Sequence, residues 1–260
     1  MTSSFDPEPM ARRIARALAG ARRLCFITGA GLSAESGLPT YRGVGGLYND
    51  VATDEGLPIE DLLSGAMFAR DPALTWKYIA RIERACRGAT FNAAHAMIAA
   101  LEAHFDVVVI TQNVDGFHRA AGSTRVIELH GDLHRLYCTG CDRRVRVTDY
   151  AGLELPPRCP ACAGVVRPDV VLFGEMLPAA AIAAQDVEHA RGFDALFAVG
   201  TTAGFPYISG PVLDAVRRGV PAIEINPDRT VLSASVTHRL PAGAVVALAA
   251  ITDALGLPRP

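Results

Sequence analysis

Residues 24–34 read LCFITGAGLSA: an apolar run over 24–28 that leads directly into Gly29-Ala30-Gly31. A short segment that is apolar at nearly every position suits a strand covered on both faces, the situation of a parallel strand between helix layers. Glycines at the end of such a strand let the backbone approach a pyrophosphate while the N-terminus of the next helix faces the charge. Gly29, Ala30, Gly31 and Ala34 fit the G-x-G-x-x-[GA] spacing and are candidate cofactor contacts. Outward from this stretch, comparable runs recur at 106–110 (DVVVI), 126–129 (VIEL), 195–199 (ALFAV) and 222–225 (AIEI), with helical stretches between most of them. That alternation predicts an α/β fold, a Rossmann-like doubly wound parallel sheet. Ahead of the first strand, residues 10–23 carry apolar positions at helical spacing and predict an amphipathic helix.

The glycine fingerprint alone is a weak signal. A hydride-transfer enzyme also needs an acidic residue about 20 positions on, at the end of a second strand. Asp50 falls near that distance, but it follows Gly-Gly-Leu-Tyr-Asn, with no strand before it. Composition narrows the field differently. The 260 residues are 50% hydrophobic and 20% charged, which excludes a disordered chain. With 25 basic against 27 acidic residues the net charge is -2, too balanced for attachment to nucleic acid or membrane through a basic field, and neither partner is expected. The longest apolar stretch, 244–251, is far short of the roughly 20 residues of a membrane span. The opening MTSSFDPEPM lacks the order of a secretory signal, so a cytoplasmic protein is expected.

Four of the six cysteines form two CxxC pairs, Cys138/Cys141 and Cys159/Cys162, separated by residues 142–158. Two knuckles with two thiolates each can close a tetrahedral shell around one Zn²⁺, and four sulfurs leave no position for water, so the metal is expected to be structural. A redox site would be a single pair on a βαβ unit, without a second pair across an Arg- and Pro-containing segment. Cys25 and Cys86 lie in apolar periodic segments and read as core thiols. The strand–helix alternation breaks over 35–104, which looks helical and loop-rich, and over 136–167, which holds the cysteines. The expected organisation is a discontinuous nucleotide-binding domain (1–34, 105–135 and 168–260) with two insertions that form a smaller domain.

Residues 29–43 read GAGLSAESGLPTYRG. With 111–115 (TQNVD), 128–131 (ELHG), the two CxxC pairs, 167–175 (RPDVVLFGE), Gly200-Thr201-Thr202 and Ile225-Asn226, in that order, the chain resembles the sirtuins, the NAD-dependent protein deacylases. The resemblance covers nearly the whole chain. It implies a Rossmann domain with a smaller helical and zinc-ribbon domain, NAD as co-substrate, one structural zinc per chain, and acyl-lysine proteins or peptides bound in extended conformation.

Gln112, Asn113 and Asp115 follow the second strand, where ligands of open α/β sheets bind, and their amides and carboxylate suit a carboxamide. Without its neighbours TQNVD is equally a strand cap with turn-forming Asn and Asp. The resemblance implies that Asn113 and Asp115 hold the nicotinamide end and that Gln112 lies near the adjoining ribose. His130, at the end of the run 126–129, projects toward the same crevice, and an unperturbed pKa of about 6.5 suits a general base. By resemblance it is that base. The resemblance implies that the acyl oxygen attacks the ribose carbon as nicotinamide leaves, that His130 takes a proton from a ribose hydroxyl, which attacks the resulting imidate, and that water completes the transfer to give free lysine, nicotinamide and O-acyl-ADP-ribose.

Thr40, Tyr41 and Arg42 fall in the family's cofactor loop, where Arg42 places a cation near the phosphates; the bland alternative is a solvated loop arginine. Thr40 stands where many relatives have Asp, and Tyr41 where many have Phe. The segment 170–175 (VVLFGE) reads as extended. By resemblance Val171, Phe173, Gly174 and Glu175 meet the substrate peptide through strand addition, an internal strand being the alternative. Gly200, Thr201, Thr202 and Asn226, at strand ends, fit the adenosine half of NAD.

Sirtuins that remove succinyl or malonyl groups carry Tyr-x-x-Arg on a helix of the small domain, a spacing that Tyr78 and Arg81 reproduce. The register set by Pro72 and Trp76 instead puts Ile79 and Ile82 at the acyl-recognition positions. One helical residue is a rotation of about 100°, which turns Tyr78 and Arg81 away. An apolar acyl pocket and deacetylation are therefore expected. Desuccinylation or demalonylation through Tyr78 and Arg81, and ADP-ribosyl transfer or NAD hydrolysis, are the alternatives. A non-catalytic NAD-binding module is opposed by the joint presence of His130 and Asn113.

Overall fold

The computed structural model describes residues 5–38 and 53–260. The strands among them are β1 (Arg23–Thr28), β2 (Asp106–Thr111), β3 (Val126–Glu128), β4 (Gly131–Cys138), β5 (Arg144–Arg146), β6 (Val166–Val170), β7 (Ala195–Val199), β8 (Ala222–Ile225) and β9 (His238–Leu240). Six of them form an all-parallel sheet in the order β3-β2-β1-β7-β8-β9, and the other three an antiparallel sheet in the order β5-β4-β6. The first is the doubly wound sheet that the apolar runs predict, and each run lies on one of its strands.

Strand periodicity sorts the apolar side chains onto two faces. Phe26, Val107, Val109, Phe197 and Ile223 enter one buried layer with Ile14, Ile98 and Leu248, from the helices Glu8–Ala17, Ala93–Ala100 and Ala244–Ala254. Cys25, Ile27, Val108, Ile110, Leu196 and Ala198 enter the other with Ile208 and Val212 of the helix Pro206–Arg217. Phe26 and Phe197 stack with ring centroids 4.5 Å apart. Fully burying one such side chain is worth roughly 1.5–3 kcal/mol, so both layers weigh heavily in the stability of the sheet. Burial pushes the Cys25 thiol up, and the Cys86 thiol up to about 11, as befits packed rather than reactive cysteines. Among the described residues no helix is long and apolar enough to cross a membrane.

A third core joins the cysteine-bearing sheet to the helices of the 59–86 region: Leu62, Phe68, Trp76 and Ile79 pack with Leu133, Leu136, Cys138, Cys159 and Val166. Trp76 Nε1 donates to the Val166 carbonyl at 2.9 Å, which fixes the rotation of the helix Pro72–Cys86 against β6. Asp71 caps that helix by accepting from Leu74 N–H, and Pro72 begins it.

The structure differs from the sequence expectation in four places. The first long helix ends at Ala17 because the chain turns through Gly20, at φ +82°, before β1. Residues 93–101 pack not with the 35–104 insertion but in the sheet layer, through Ala94, Met97, Ile98 and Leu101. The expected breaks at 135/136 and 167/168 fall inside β4 and β6, because these two strands pair with each other. The edge strand β9 has too short an apolar signature to be read beforehand.

Gly200 lies where the loops after β1 and β7 meet. At φ +59° a Cβ there would sit 2.2 Å from Leu32 N. Gly200→Ala is expected to destabilise the protein by about 2–3 kcal/mol, from clash and left-handed strain together. Gly210→Ala, in the helix Pro206–Arg217, meets nothing within 4 Å beyond its chain neighbours, and the gain in helix propensity is offset by Pro211, which disfavours a Cβ on the helical residue before it, so its effect is expected to be well below that of Gly200→Ala. Urea denaturation of both variants checks the difference.

Candidate active site

The strand order reverses between β1 and β7, and ligand crevices of open α/β sheets form at the carboxyl ends of the strands beside such a reversal. Here those ends converge on a cavity of about 610 Å³. Its lining includes Gly29, Ala30, Gly31 and Ala34 after β1, Gln112 and Asn113 after β2, and His130 after β3. Gly200, Thr201 and Thr202 after β7 and Asn226 after β8 complete this polar end. Gln112 Nε2 donates to Thr201 Oγ1 at 2.8 Å and Asn226 Nδ2 to the Thr201 carbonyl at 3.1 Å, so side chains from three loops brace one another.

Asn113 is buried and donates its Nδ2 to the Gly29 carbonyl and to Ser33 Oγ, both at 3.1 Å. Ser33 Oγ in turn donates to Asp115 Oδ2 at 2.7 Å, and Phe117 N–H to Asp115 Oδ1 at 2.9 Å. Burial pushes the Asp115 carboxyl up, and these two donors pull it back. Asp115 lines not the main cavity but an adjoining one of about 330 Å³ that shares Ala30, Ile82, Asn113, Val114 and Leu133 with it. Ser33 lies inside the glycine motif at a position the G-x-G-x-x-[GA] pattern leaves open, so its spacing from Gly29 is the one signal of this role in the sequence.

His130 occupies the turn between β3 and β4, its carbonyl accepting from Val171 N–H at 3.0 Å. Its Nε2 lies 2.8 Å from Tyr207 Oη. Burial lowers the imidazole below its ordinary value, and a hydrogen bond with the Gln112 backbone opposes that shift. A neutral imidazole facing a cavity is the state in which histidine accepts a proton.

The far end of the cavity is aliphatic, with Leu63, Ile79, Ile82, Val114, Leu133, Val171 and Phe173 among its lining. Tyr78 and Arg81 turn the other way. Tyr78 Oη donates to Glu55 and accepts from Asp54 N–H, and Arg81 pairs with Asp54, as does Lys77 at 2.9 Å. The segment expected to be extended is strand only as far as Val170; Phe173 then bridges Ser64. Gly174 and Glu175 also line the cavity, but Arg167 holds the Glu175 carboxylate at 2.6 and 3.0 Å, which makes that side chain a brace of its loop. Thr40, Tyr41 and Arg42 lie outside the described residues.

Comparison with known proteins agrees with this geometry. The model of the Sir2 family matches residues 29–205. A Pseudomonas aeruginosa protein named NAD-dependent protein deacylase 2 is 53% identical over 236 residues, covering 87% of this chain and 90% of the relative. The chain belongs to the Sir2 family. Among solved structures, a Sir2 homologue in complex with NAD superposes with a TM-score of 0.82 at 36% identity, over 93% of each chain. Another Sir2 structure, which holds an inhibitor, 2′-O-acetyl-ADP-ribose and a deacetylated p53 peptide, superposes with a TM-score of 0.81 at 25% identity, over 95% of this chain and all of that one.

In this Sir2 chain the four cysteines of the two CxxC pairs are positioned to bind a zinc ion, their sulfurs all within 4.8 Å of one another. Cys138 and Cys162 Sγ are 3.4 Å apart, Cys141 and Cys159 Sγ 3.7 Å. A tetrahedron of about 2.3 Å zinc–sulfur bonds has edges of about 3.8 Å, so the thiolate cage fits the ion. Gly140 N–H donates to Cys138 Sγ, and a Cβ at Gly164 would lie 3.1 and 3.2 Å from two of the sulfurs, so the knuckle glycines leave room for the cage.

Proposed function

We propose that this sirtuin removes acyl groups from protein lysines at the expense of NAD, with acetyl and other uncharged groups preferred to succinyl. The observation that carries this reading is a cavity with chemically different ends, polar amides and glycines at one and aliphatic side chains at the other, with His130 in its lining and its Nε2 beside Tyr207 Oη, another lining residue. Its size lies in the range of sites for drug-sized ligands. Bound NAD supplies an electrophilic ribose carbon and nicotinamide as leaving group.

The chain's own residues divide the remaining work. Asn113 spends its NH₂ on Gly29 and Ser33, which leaves its side-chain oxygen to accept from a carboxamide, and Asp115 anchors Ser33 behind it. Gln112 serves the adjoining ribose. Gly29, Ala30, Gly31 and Ala34 border the phosphates, with Thr40, Tyr41 and Arg42 as the contacts from the neighbouring loop. Gly200, Thr201, Thr202 and Asn226 take the adenosine half. His130 receives a proton at Nε2 from a ribose hydroxyl. The substrate peptide lies extended along Val171, Phe173, Gly174 and Glu175, its acyl chain between Ile79 and Ile82.

The test is incubation with NAD and acetyl-, butyryl- and succinyl-lysine versions of one peptide, with products read by mass spectrometry. A succinyl carboxylate against aliphatic carbon loses several kcal/mol of solvation, so its kcat/KM is expected to fall at least about 100-fold below that of acetyl. Each added methylene is worth up to about 0.8 kcal/mol, so butyryl is expected to be tolerated or favoured. Arg81→Met should leave these ratios unchanged; a succinyl preference that collapses in this variant would defeat the acyl assignment. Nicotinamide release without deacylated lysine would turn the reading to ADP-ribosyl transfer or NAD hydrolysis.

A further inference from the structure

The proposed deacylation turns on His130, yet the turn that carries this residue fixes its backbone and not its ring. The ring is met from two other segments, on one nitrogen by the Gln112 backbone and on the other by a remote element. Tyr207, on the first turn of the helix Pro206–Arg217, places Oη 2.8 Å from His130 Nε2. Tyr207 is itself braced: it stacks on Phe205 with centroids 5.3 Å apart and planes 11° from parallel, and its carbonyl accepts from Gln185 Nε2 at 2.9 Å. Phe205 and Tyr207 both stand edge-on to the imidazole, at 6.5 and 6.0 Å.

We propose that Tyr207 is the positioning residue of His130: its hydroxyl donates to Nε2 in the free protein, holds that nitrogen unprotonated and turned into the cavity, and yields its place to the sugar hydroxyl. This inference rests on the deacylase reading. The Gln112 backbone raises the imidazole by accepting a hydrogen bond from the ring, which places the ring proton on the nitrogen away from Tyr207 and leaves Nε2 as the lone pair; the phenol, pushed up to about 12 by burial, keeps its proton near neutrality and is the donor. That is the nitrogen a base aimed into this cavity must use. When a sugar hydroxyl replaces the phenol, its proton passes to Nε2, and Tyr207 keeps its own proton throughout.

Tyr207→Phe retains the ring and the stack on Phe205 and removes only Oη. The first readout needs no co-substrate: the ¹⁵N resonances of the His130 ring, assigned by their disappearance in His130→Ala. Nε2 is expected unprotonated and hydrogen-bonded in the wild type, and at higher frequency in Tyr207→Phe. An unmoved resonance overturns the proposal whatever the activity. The second readout is kinetic. Tyr207→Phe is expected to lower the kcat of deacylation about tenfold, the order of loss that follows a misplaced catalytic group, with the KM for NAD within about twofold. Exchange of labelled nicotinamide, which precedes the base, should stay at the wild-type rate, and Tyr207→Phe should add no further loss to His130→Ala. Equal losses of exchange and deacylation would mark a merely structural tyrosine, and undiminished deacylation an idle one; either overturns the proposal. A wild-type protein that neither exchanges nor deacylates would sink the deacylase reading instead, and the resonance would still decide whether Tyr207 holds the ring.

Discussion

His130→Ala is expected to lower deacylation by about 10²–10⁴-fold, the usual contribution of a positioned general base. NAD affinity should stay within a few-fold, because the polar contacts proposed for the cofactor come from other loops, among them Asn113, Thr201 and Asn226. The fold should also survive, since His130 lies in a half-buried turn that lines the cavity rather than in either sheet layer. Asn113→Ala is expected to fail earlier. It removes the amide that ties the Gly29 carbonyl to Ser33, and with it the proposed carboxamide acceptor, so nicotinamide release itself should slow. Parallel assays of labelled-nicotinamide exchange and lysine deacylation separate the two. Wild-type turnover in His130→Ala would remove this residue from the chemistry, and unchanged nicotinamide release in Asn113→Ala would contradict its placement.

Loss of a cysteine ligand is expected to have a larger effect still, on folding rather than on chemistry. Binding free energies of structural zinc run to about 10–16 kcal/mol in small zinc domains, more than the net stability of most domains. Cys138 and Cys159 are buried in the core that also holds Trp76, Ile79, Leu136 and Val166, so the metal cage and the aliphatic end of the cavity share one packing unit. In Cys159→Ala that unit should unfold, while the parallel sheet, with its own apolar layer on each face, persists at lower temperature. Elemental analysis should give one zinc per wild-type chain and none in the variant, and circular dichroism should show partial loss of structure. A Cys159→Ala protein that keeps its metal, its melting temperature and full activity would end the structural assignment.

The parallel sheet was legible before any coordinates. A run such as DVVVI has one economical use, a strand covered on both faces, and the glycines after residues 24–28 mark the end of such a strand. The metal cage was legible too, because thiolates paired at CxxC spacing have few other tetrahedral solutions. So was the face of the helix Pro72–Cys86 that carries Ile79 and Ile82, since a 100° step per residue follows from the helix itself once a register is chosen. What sequence left open depended on contacts between remote segments. Residues 93–101 belong to the sheet layer through packing against Ala244–Ala254, which itself packs against Glu8–Ala17, helices that no local pattern links to them. Glu175 sits in a motif but spends its carboxylate on Arg167, and Tyr78 and Arg81 find acidic partners at Asp54 and Glu55. Tyr207 reaches His130 across 77 residues of chain. Periodicity and motif spacing act along the chain over a few residues, so the sequence by itself determined the strands, the glycine loops and the thiolate cage. The partners of each polar side chain were decided only when the folded strands brought their carboxyl ends together, because a hydrogen bond is made across a few ångströms of space whatever the distance in sequence.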